Sequence, residues 1–350
     1  MSQTVQARGQ GSTSQSLIAR NVAVWQQRAP GLLLVLLLAV PAKFLGQWVS
    51  LVPDVVFALL AGIAVNNLVV HGHSTYRSGI SFSQKTILKA AIILLGGSLS
   101  FAAVLKIGAQ AVGVILVCFV ISFSLGMLFA RGFSLPSKVG TLLGSGTAIC
   151  GATAIITVGP LIAASDEEIA YAVTTIFSFN ILAVLIYPIL GHILRLSDLG
   201  FGTWAGTSVN DTSAVVATSY IFSNAAGAVA TVVKLTRTLL LVPLAVGVGF
   251  FAAARGSHHQ TSIFKVMPWF VLGFAGMAVL NSFDLLPKDV AWLLTEVAKF
   301  LIVMVLAAVG LNVDIARMRG MGAKPFLVGM GLAVVMSALS FTVIHILGVA

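Results

Sequence analysis

Leu142 to Pro160 reads LLGSGTAICGATAIITVGP, a stretch of membrane-spanning length that is apolar yet studded with glycine and hydroxyl side chains. Gly144, Gly146 and Gly151 lower helix propensity, and Ser145, Thr147 and Thr153 can hydrogen-bond the backbone groups that a helix break sets free. The segment therefore reads as a broken helix. Irregular backbone at bilayer depth is tolerated only where protein or a water-filled cavity surrounds it. A half-helix starting there points free N–H groups and its positive dipole end inward, which suits an anion, while the preceding half ends in free carbonyls. A helix packed tightly on its neighbours through small residues is the competing reading.

The rest of the chain sets this stretch in a membrane protein. Of 350 residues, 58% are hydrophobic and only 9% charged, with a mean hydropathy of +1.05. Soluble domains carry about 25% charged residues, so the composition describes a polytopic membrane protein. The formal charge of +10 is then a matter of loop placement, and nucleic acid is not an expected partner. Cys118 and Cys150 both fall in apolar spans, which speaks against a disulfide framework or a thiolate metal site. Cys150 lies in the glycine-rich break, where it could touch a substrate or simply pack.

Apolar spans fall at about 31–50, 54–70, 86–104, 109–130, 139–162, 168–190, 203–222, 227–253, 266–283, 290–311 and 326–348, each long enough to cross a bilayer. The expectation is an all-α integral membrane protein of about eleven transmembrane helices, preceded by a mobile polar tail over residues 1–29, with the transmembrane domain occupying 30–350. A cytoplasmic N-terminus puts Arg77 with Lys85, Arg131 with Lys138, His192 with Arg195, Arg255 with Lys265, and Arg317, Arg319 and Lys324 inside. Lys43, Asp54, Lys106, the Asp166-Glu167-Glu168 turn and Asp284 with Lys288 fall outside. That pattern obeys the positive-inside rule and places the C-terminus on the outer side, periplasmic or extracellular. Losing a single span would reverse every later loop.

An internal repeat appears at a constant offset of 214 residues. LAGIAVNNL (60–68) overlies FAGMAVLNS (274–282), matching Ala61, Gly62, Ala64, Val65 and Asn67 to Ala275, Gly276, Ala278, Val279 and Asn281. The same offset carries Lys85 onto Lys299, Gly96 onto Gly310 and Gly108 onto Gly322. In the eleven-span topology the copies cross in opposite senses, the inverted repeat of secondary transporters.

Three further places could carry chemistry. Span 203–222 holds Asn210-Asp211-Thr212 near mid-depth, and an intramembrane carboxylate is costly enough to suggest a proton carrier or cation ligand; a solvated loop is the alternative. Span 227–253 holds Lys234 and Arg237, three residues apart and so on one helical face. Both suit an oxyanion, Arg through its planar fork and Lys through a compact charge; an ion pair with Asp211 or Glu296, or snorkelling, would be structural. Asn180 reads as an interhelical hydrogen-bonding residue, and Glu296 with Lys299 as a local pair. His71, His73, His258 and His259 lack the spacing of a metal site, and neither a metal nor a cofactor is expected. No nucleotide-binding or catalytic motif occurs, so an enzyme is not expected.

GSGTAICGATAI, the acidic turn, GTSVNDTSAVVA and VVKLTRTLLLVP together resemble a family of bacterial inner-membrane proteins, the putative sulfate exporters of the YeiH type. That family is similar in design to the cation/proton antiporter and bile-acid symporter superfamily. Where many relatives carry His-Glu this chain has Asn210-Asp211, which keeps the carboxylate and replaces a titratable imidazole with an amide. The resemblance implies a secondary transporter of a small oxyanion such as sulfate, sulfite or an organosulfonate. From the residues read above, the expected substrate residues are Gly144, Ser145, Gly146, Thr147, Cys150, Gly151, Thr153, Lys234 and Arg237, and Asn210, Asp211 and Thr212 are the expected coupling group for H⁺ or Na⁺. A homodimer is the candidate assembly; an anion channel or a non-transporting sensor is the alternative function.

Overall fold

The computed structural model describes residues 3–48, 53–70, 73–254, 267–314 and 323–349. Among these every regular element is helical. The loops holding Arg255 with Lys265 and Arg317 with Arg319 lie outside the described residues.

The helices run α1 (Gln3–Trp48), α2 (Asp54–Val65, continued as a π-helix over Asn66–Val70), α3 (Ser74–Phe82), α4 (Leu88–Gly96, joined to α3 by a π-helical turn), α5 (Phe101–Gly132), α6 (Ser137–Ala148), α7 (Ala152–Leu161), α8 (Asp166–Ile193), α9 (Asp198–Ser208), α10 (Thr212–Phe222), α11 (Asn224–Leu239), α12 (Leu241–Ala254), α13 (Trp269–Ser282), α14 (Lys288–Leu311) and α15 (Ala323–Ile346). Helix α1 takes in most of the residues 1–29 that the sequence sets apart as a tail. Among the described residues six stretches are long and apolar enough to cross a membrane: Val22–Trp48, Phe101–Gly132, Asp166–Ile193, Asn224–Val248, Lys288–Leu311 and Leu327–Ile346. The chain divides into two compact units, Met1–Leu88 with Val303–Asp314, and Lys89–Ile302 with Ile315–Ala350.

In the first unit glycines allow helices to touch backbone to backbone. Gly31 of α1 meets Gly79 of α3, and Gly62 of α2 meets Gly310 of α14; a methyl group on any of them would collide with main-chain atoms. Such contacts replace the hydrophobic driving force that helix association lacks among apolar surroundings. Asn66 and Asn67 both donate through Nδ2 to the Val313 carbonyl, at 3.0 and 2.8 Å.

The second unit holds residues 142–160, whose course differs from the single broken crossing that the sequence predicts. Residues 137–161 do not continue past their break; they turn back. Lys138 Nζ donates to the Ala163 carbonyl at 2.6 Å, and a Cβ on Gly146 would meet Ile155, so α6 and α7 are antiparallel arms. Residues 198–222 do the same. Ser223 Oγ donates to the Asp198 carboxylate, and the Phe201 and Phe222 rings stack with centroids 3.9 Å apart. Two of the eleven expected crossings, 139–162 and 203–222, are thus helical hairpins. The cause is local: Gly151 has φ +62°, open to glycine at no steric cost, and its N–H closes onto the Gly146 carbonyl at 2.8 Å, which satisfies one of the last carbonyls of α6. In the second hairpin Val209 and Asp211 are both extended.

Arm length gives these hairpins their meaning. At 1.5 Å per residue, arms of 10 to 12 residues reach about 15–18 Å, roughly half of a ~30 Å hydrocarbon core, whereas the 28 residues of α8 span the whole of it. The mouth of the first hairpin joins the start of α8 and the mouth of the second joins its end. The hairpins therefore enter from opposite ends of α8, and their tips can meet beside its middle. The acidic turn before α8 is helix-start chemistry: Ser165 and Glu168 form a reciprocal capping box, with Asp166 and Glu167 in the first turn.

Candidate functional site at the hairpin tips

The two tips do meet. A Cβ on Gly151 would lie 3.6 Å from Asn210 Cβ and 3.5 Å from Ile176 of α8. One turn further along α8, Asn180 Oδ1 accepts the Asn210 and Asp211 amides at 3.2 and 3.3 Å. At this junction two helices end, α6 and α9, and two begin, α7 and α10.

The ending helices are held by cations. Lys234, with no exposed surface, donates from Nζ to the carbonyls of Ile149 (2.8 Å), Val209 (3.1 Å) and Asn210 (2.5 Å). Arg237, 1% exposed, donates from Nε to the Ala148 carbonyl (2.7 Å), from Nη1 to those of Thr207 (2.6 Å) and Val209 (3.3 Å), and from Nη2 to that of Thr147. Three acceptors around Nζ match the three donors of an ammonium group. The negative ends of α6 and α9 and their orphan carbonyls are thus neutralised by one face of α11. Glycines let that face approach: Gly202 and Gly206 of α9 lie on Val229 and Val233 of α11.

The beginning helices differ from each other. Asp211 caps α10, its Oδ2 accepting Ser213 N (2.9 Å), Ala214 N (3.4 Å) and Ser213 Oγ. Helix α7 starts at Gly151, which has no side chain, and has no side-chain cap. Its start lies against Asn210, with the Ala154 amide on the Cys150 sulfur.

The residues expected to bind substrate are therefore divided. Thr147, Cys150 and Gly151 lie at the first tip and are buried, while Thr153 is exposed just beyond it. Gly144 packs on Gly126 and Phe123 of α5, and Gly146 on Ile155 and Ile176. Ser145 bonds its own helix at Leu142 O. Lys234 and Arg237 reach both tips, but their donors go to main-chain oxygens rather than into open space. Among the described residues Asp211 pairs with neither cation, so the alternative of a structural ion pair with Asp211 is not what the structure has; Glu296 and Lys299 do pair, at 2.7 Å. Thr212 opens α10, partly exposed.

From sequence alone Asn180 reads only as a bridge between helices. Its place at the centre of α8, equidistant from both hairpin mouths, was the available signal. Buried polar atoms without a partner cluster here too: Thr147 Oγ1, Asn180 Nδ2 and Asn210 Oδ1. Second-arm support comes from a polar seam in which Trp204 Nε1 donates to Ser337 O at 3.0 Å and Thr207 meets Ser340 at 2.5 Å, with Tyr187 stacked on Trp204 at 4.3 Å. No group of metal-ligating side chains occurs among the described residues.

Fold and site together define a multi-pass α-helical membrane protein with an internal, polar junction of half-length helices. Residues 30–329 match the profile of a family described as conserved hypothetical protein 698. The chain is 35% identical to a UPF0324 membrane protein of Clostridium tetani over 91% of its own length and 97% of that protein's. It is 36% identical to UPF0324 membrane protein SAG1125 of Streptococcus agalactiae, over 93% and 99%, and 34% identical to UPF0324 membrane protein FN0533 of Fusobacterium nucleatum, over 91% and 98%. The chain belongs to this UPF0324 family of membrane proteins.

Proposed function

We propose that the protein is a secondary transporter of a small oxyanion, of the kind the sulfate-exporter resemblance implies, with its substrate held where the hairpin tips meet and coupling to H⁺ or Na⁺ through Asp211. The observation that carries this reading is the uncapped, inward N-terminus of α7 set against the second tip. Free amides and the positive dipole end favour an anion there. Lys234 and Arg237 serve this site as positioning residues: they secure the carbonyl ends so that only amide ends face the ligand. Asp211 is the coupling carboxylate, since a proton or cation on it would change the charge at the same tip.

The transporter reading also draws on the repeat. Asn67 donates to Val313 O at 2.8 Å, and Asn281 donates to Leu99 O at 3.3 Å; donors and acceptors both correspond at the 214-residue offset, with donor and acceptor segments exchanged. Ser122 Oγ meets Met336 Sδ at 2.8 Å, a contact between two corresponding positions, as happens where a two-fold relation maps a pair onto itself. Inverted repeats joined this way are how secondary transporters obtain two alternating states. Counted along the chain, nine crossings and two hairpins keep the N-terminus cytoplasmic and the C-terminus periplasmic. Purified protein in liposomes should show saturable uptake of sulfate, sulfite or an organosulfonate that depends on an H⁺ or Na⁺ gradient. Flux that neither saturates nor follows a counter-ion would make it an anion channel.

A further inference from the structure

We infer that Asn180 and Asn210 form a donor–acceptor pair that selects an oxyanion still carrying one proton, in the class of hydrogen sulfite, over a fully deprotonated one. The inference rests on the tip site proposed above and names its specificity. Asn180 is 4% exposed, and its carboxamide is oriented by two backbone donors: because Oδ1 accepts the Asn210 and Asp211 amides, the other end must be the NH₂ group. Nδ2 has no protein partner. It is a fixed donor at the junction, and it seeks an acceptor.

Asn210 supplies the opposite polarity. Its main chain is fully engaged, the N–H with Asn180 and the carbonyl with Lys234. Its Oδ1, on a side chain 7% exposed, has no partner. Nδ2 sits on the same carboxamide as the Oδ1 that accepts the Asn210 amide at 3.2 Å, and the unpartnered Oδ1 belongs to that same Asn210, so donor and acceptor come from two residues in direct contact. Gly151 and the uncapped start of α7 border the same spot. A ligand meeting all three needs acceptor oxygens for the α7 amides and Asn180, and one O–H for Asn210.

Charge leads to the same class. Lys234 and Arg237 contribute two positive charges and Asp211 one negative charge at a buried junction, which a monoanion brings to zero. A dianion would leave an excess charge in a low-dielectric interior, where unpaired charge is expensive.

The test uses the full-length protein in liposomes and four probes: sulfite and selenite, which hold one proton in mildly acidic buffer, and sulfate and methanesulfonate, which hold none. Methanesulfonate matters most, being a monoanion of similar size without an O–H. Sulfite and selenite should be taken up, with methanesulfonate and sulfate weaker by about tenfold or more, the loss expected when a buried hydrogen-bonding group is left unpaired. Asn180→Asp keeps an oxygen for the two amides but exchanges the NH₂ donor for a second carboxylate oxygen, so it should lower sulfite uptake by about tenfold or more in protein that still inserts and purifies as a folded species. Methanesulfonate carried as well as sulfite by the wild type overturns proton recognition whatever the variants do. Asn180→Asp transporting like wild type overturns the donor assignment. Uptake of sulfate without discrimination defeats this inference alone, whereas no uptake of any probe defeats the transport reading with it.

Discussion

Gly151, at the turn of the first hairpin, lies against Asn210, at the turn of the second, close enough that an added Cβ would stop 3.6 Å from the Asn210 Cβ. That is ordinary contact, so space does not forbid a side chain at 151. Backbone conformation does: φ +62° with ψ −124° is a region L residues rarely adopt, at a cost of about 1–3 kcal/mol. Gly151→Ala should therefore lower the melting temperature in detergent and depress uptake further than the melting shift alone would. A variant with wild-type stability and flux would show that the turn is not held in this conformation.

Hairpins and crossings make opposite statements about sidedness. Because Lys138 bonds Ala163 O and Ser223 bonds Asp198, each hairpin returns to the side it entered. Reporters or single cysteines placed near Ser134 and near Ala164 should report the same side, and a pair near Leu196 and Ser223 the other side. Opposite signals within either pair would restore that segment as a crossing.

Much of this arrangement was readable from residues and some was not. The break at Gly151, the anomalous Asp211 and the paired Lys234 and Arg237 were all visible because each violates what an apolar helix tolerates. Reversal at the break was not visible. Replacing two crossings by two hairpins leaves the parity of the chain unchanged, so every loop outside residues 137–222 keeps its side. Only the acidic turn and the His192–Arg195 loop exchange sides, and the first is explained by helix capping. The partners of Lys234 and Arg237 were equally hidden, since main-chain carbonyls leave no mark in a sequence. Spacing alone cannot distinguish a cation that holds an anion from one that holds two helix ends.

Arg237→Lys addresses that last distinction. Lysine keeps the charge but cannot reach Ala148, Thr147, Thr207 and Val209 together, so buried carbonyls lose their donors at about 1–3 kcal/mol for each left unsatisfied. Its main effect should be a lowered melting temperature and faster proteolysis, with substrate affinity in the surviving folded protein close to wild type. A large loss of affinity at unchanged stability would instead place the guanidinium on the anion.

The repeat predicts equal partners. Asn67→Ala removes the bond to the Val313 carbonyl together with one to Ile63 O in its own helix, and Asn281→Ala removes the corresponding bond to the Leu99 carbonyl; hydrogen bonds of this kind contribute about 0.5–1.5 kcal/mol each. If the two bonds hold corresponding joints of two alternating states, both variants should change the rate of exchange transport, measured as counterflow, more than they change equilibrium binding. An effect confined to one of them would argue that the correspondence is not functional.

Asp211→Asn isolates coupling from architecture. Asparagine is as good an N-cap as aspartate, so the Ser213 and Ala214 amides keep an acceptor and α10 keeps its start; the melting temperature should move little. What disappears is the charge, and with it the site for a proton or Na⁺. Gradient-driven accumulation should then be abolished, while downhill exchange of anion for anion, which needs the tip but not the coupling ion, should persist. Accumulation that keeps its wild-type dependence on pH and Na⁺ in Asp211→Asn would move the coupling site away from the second hairpin, and loss of exchange together with accumulation would make Asp211 part of the anion site itself.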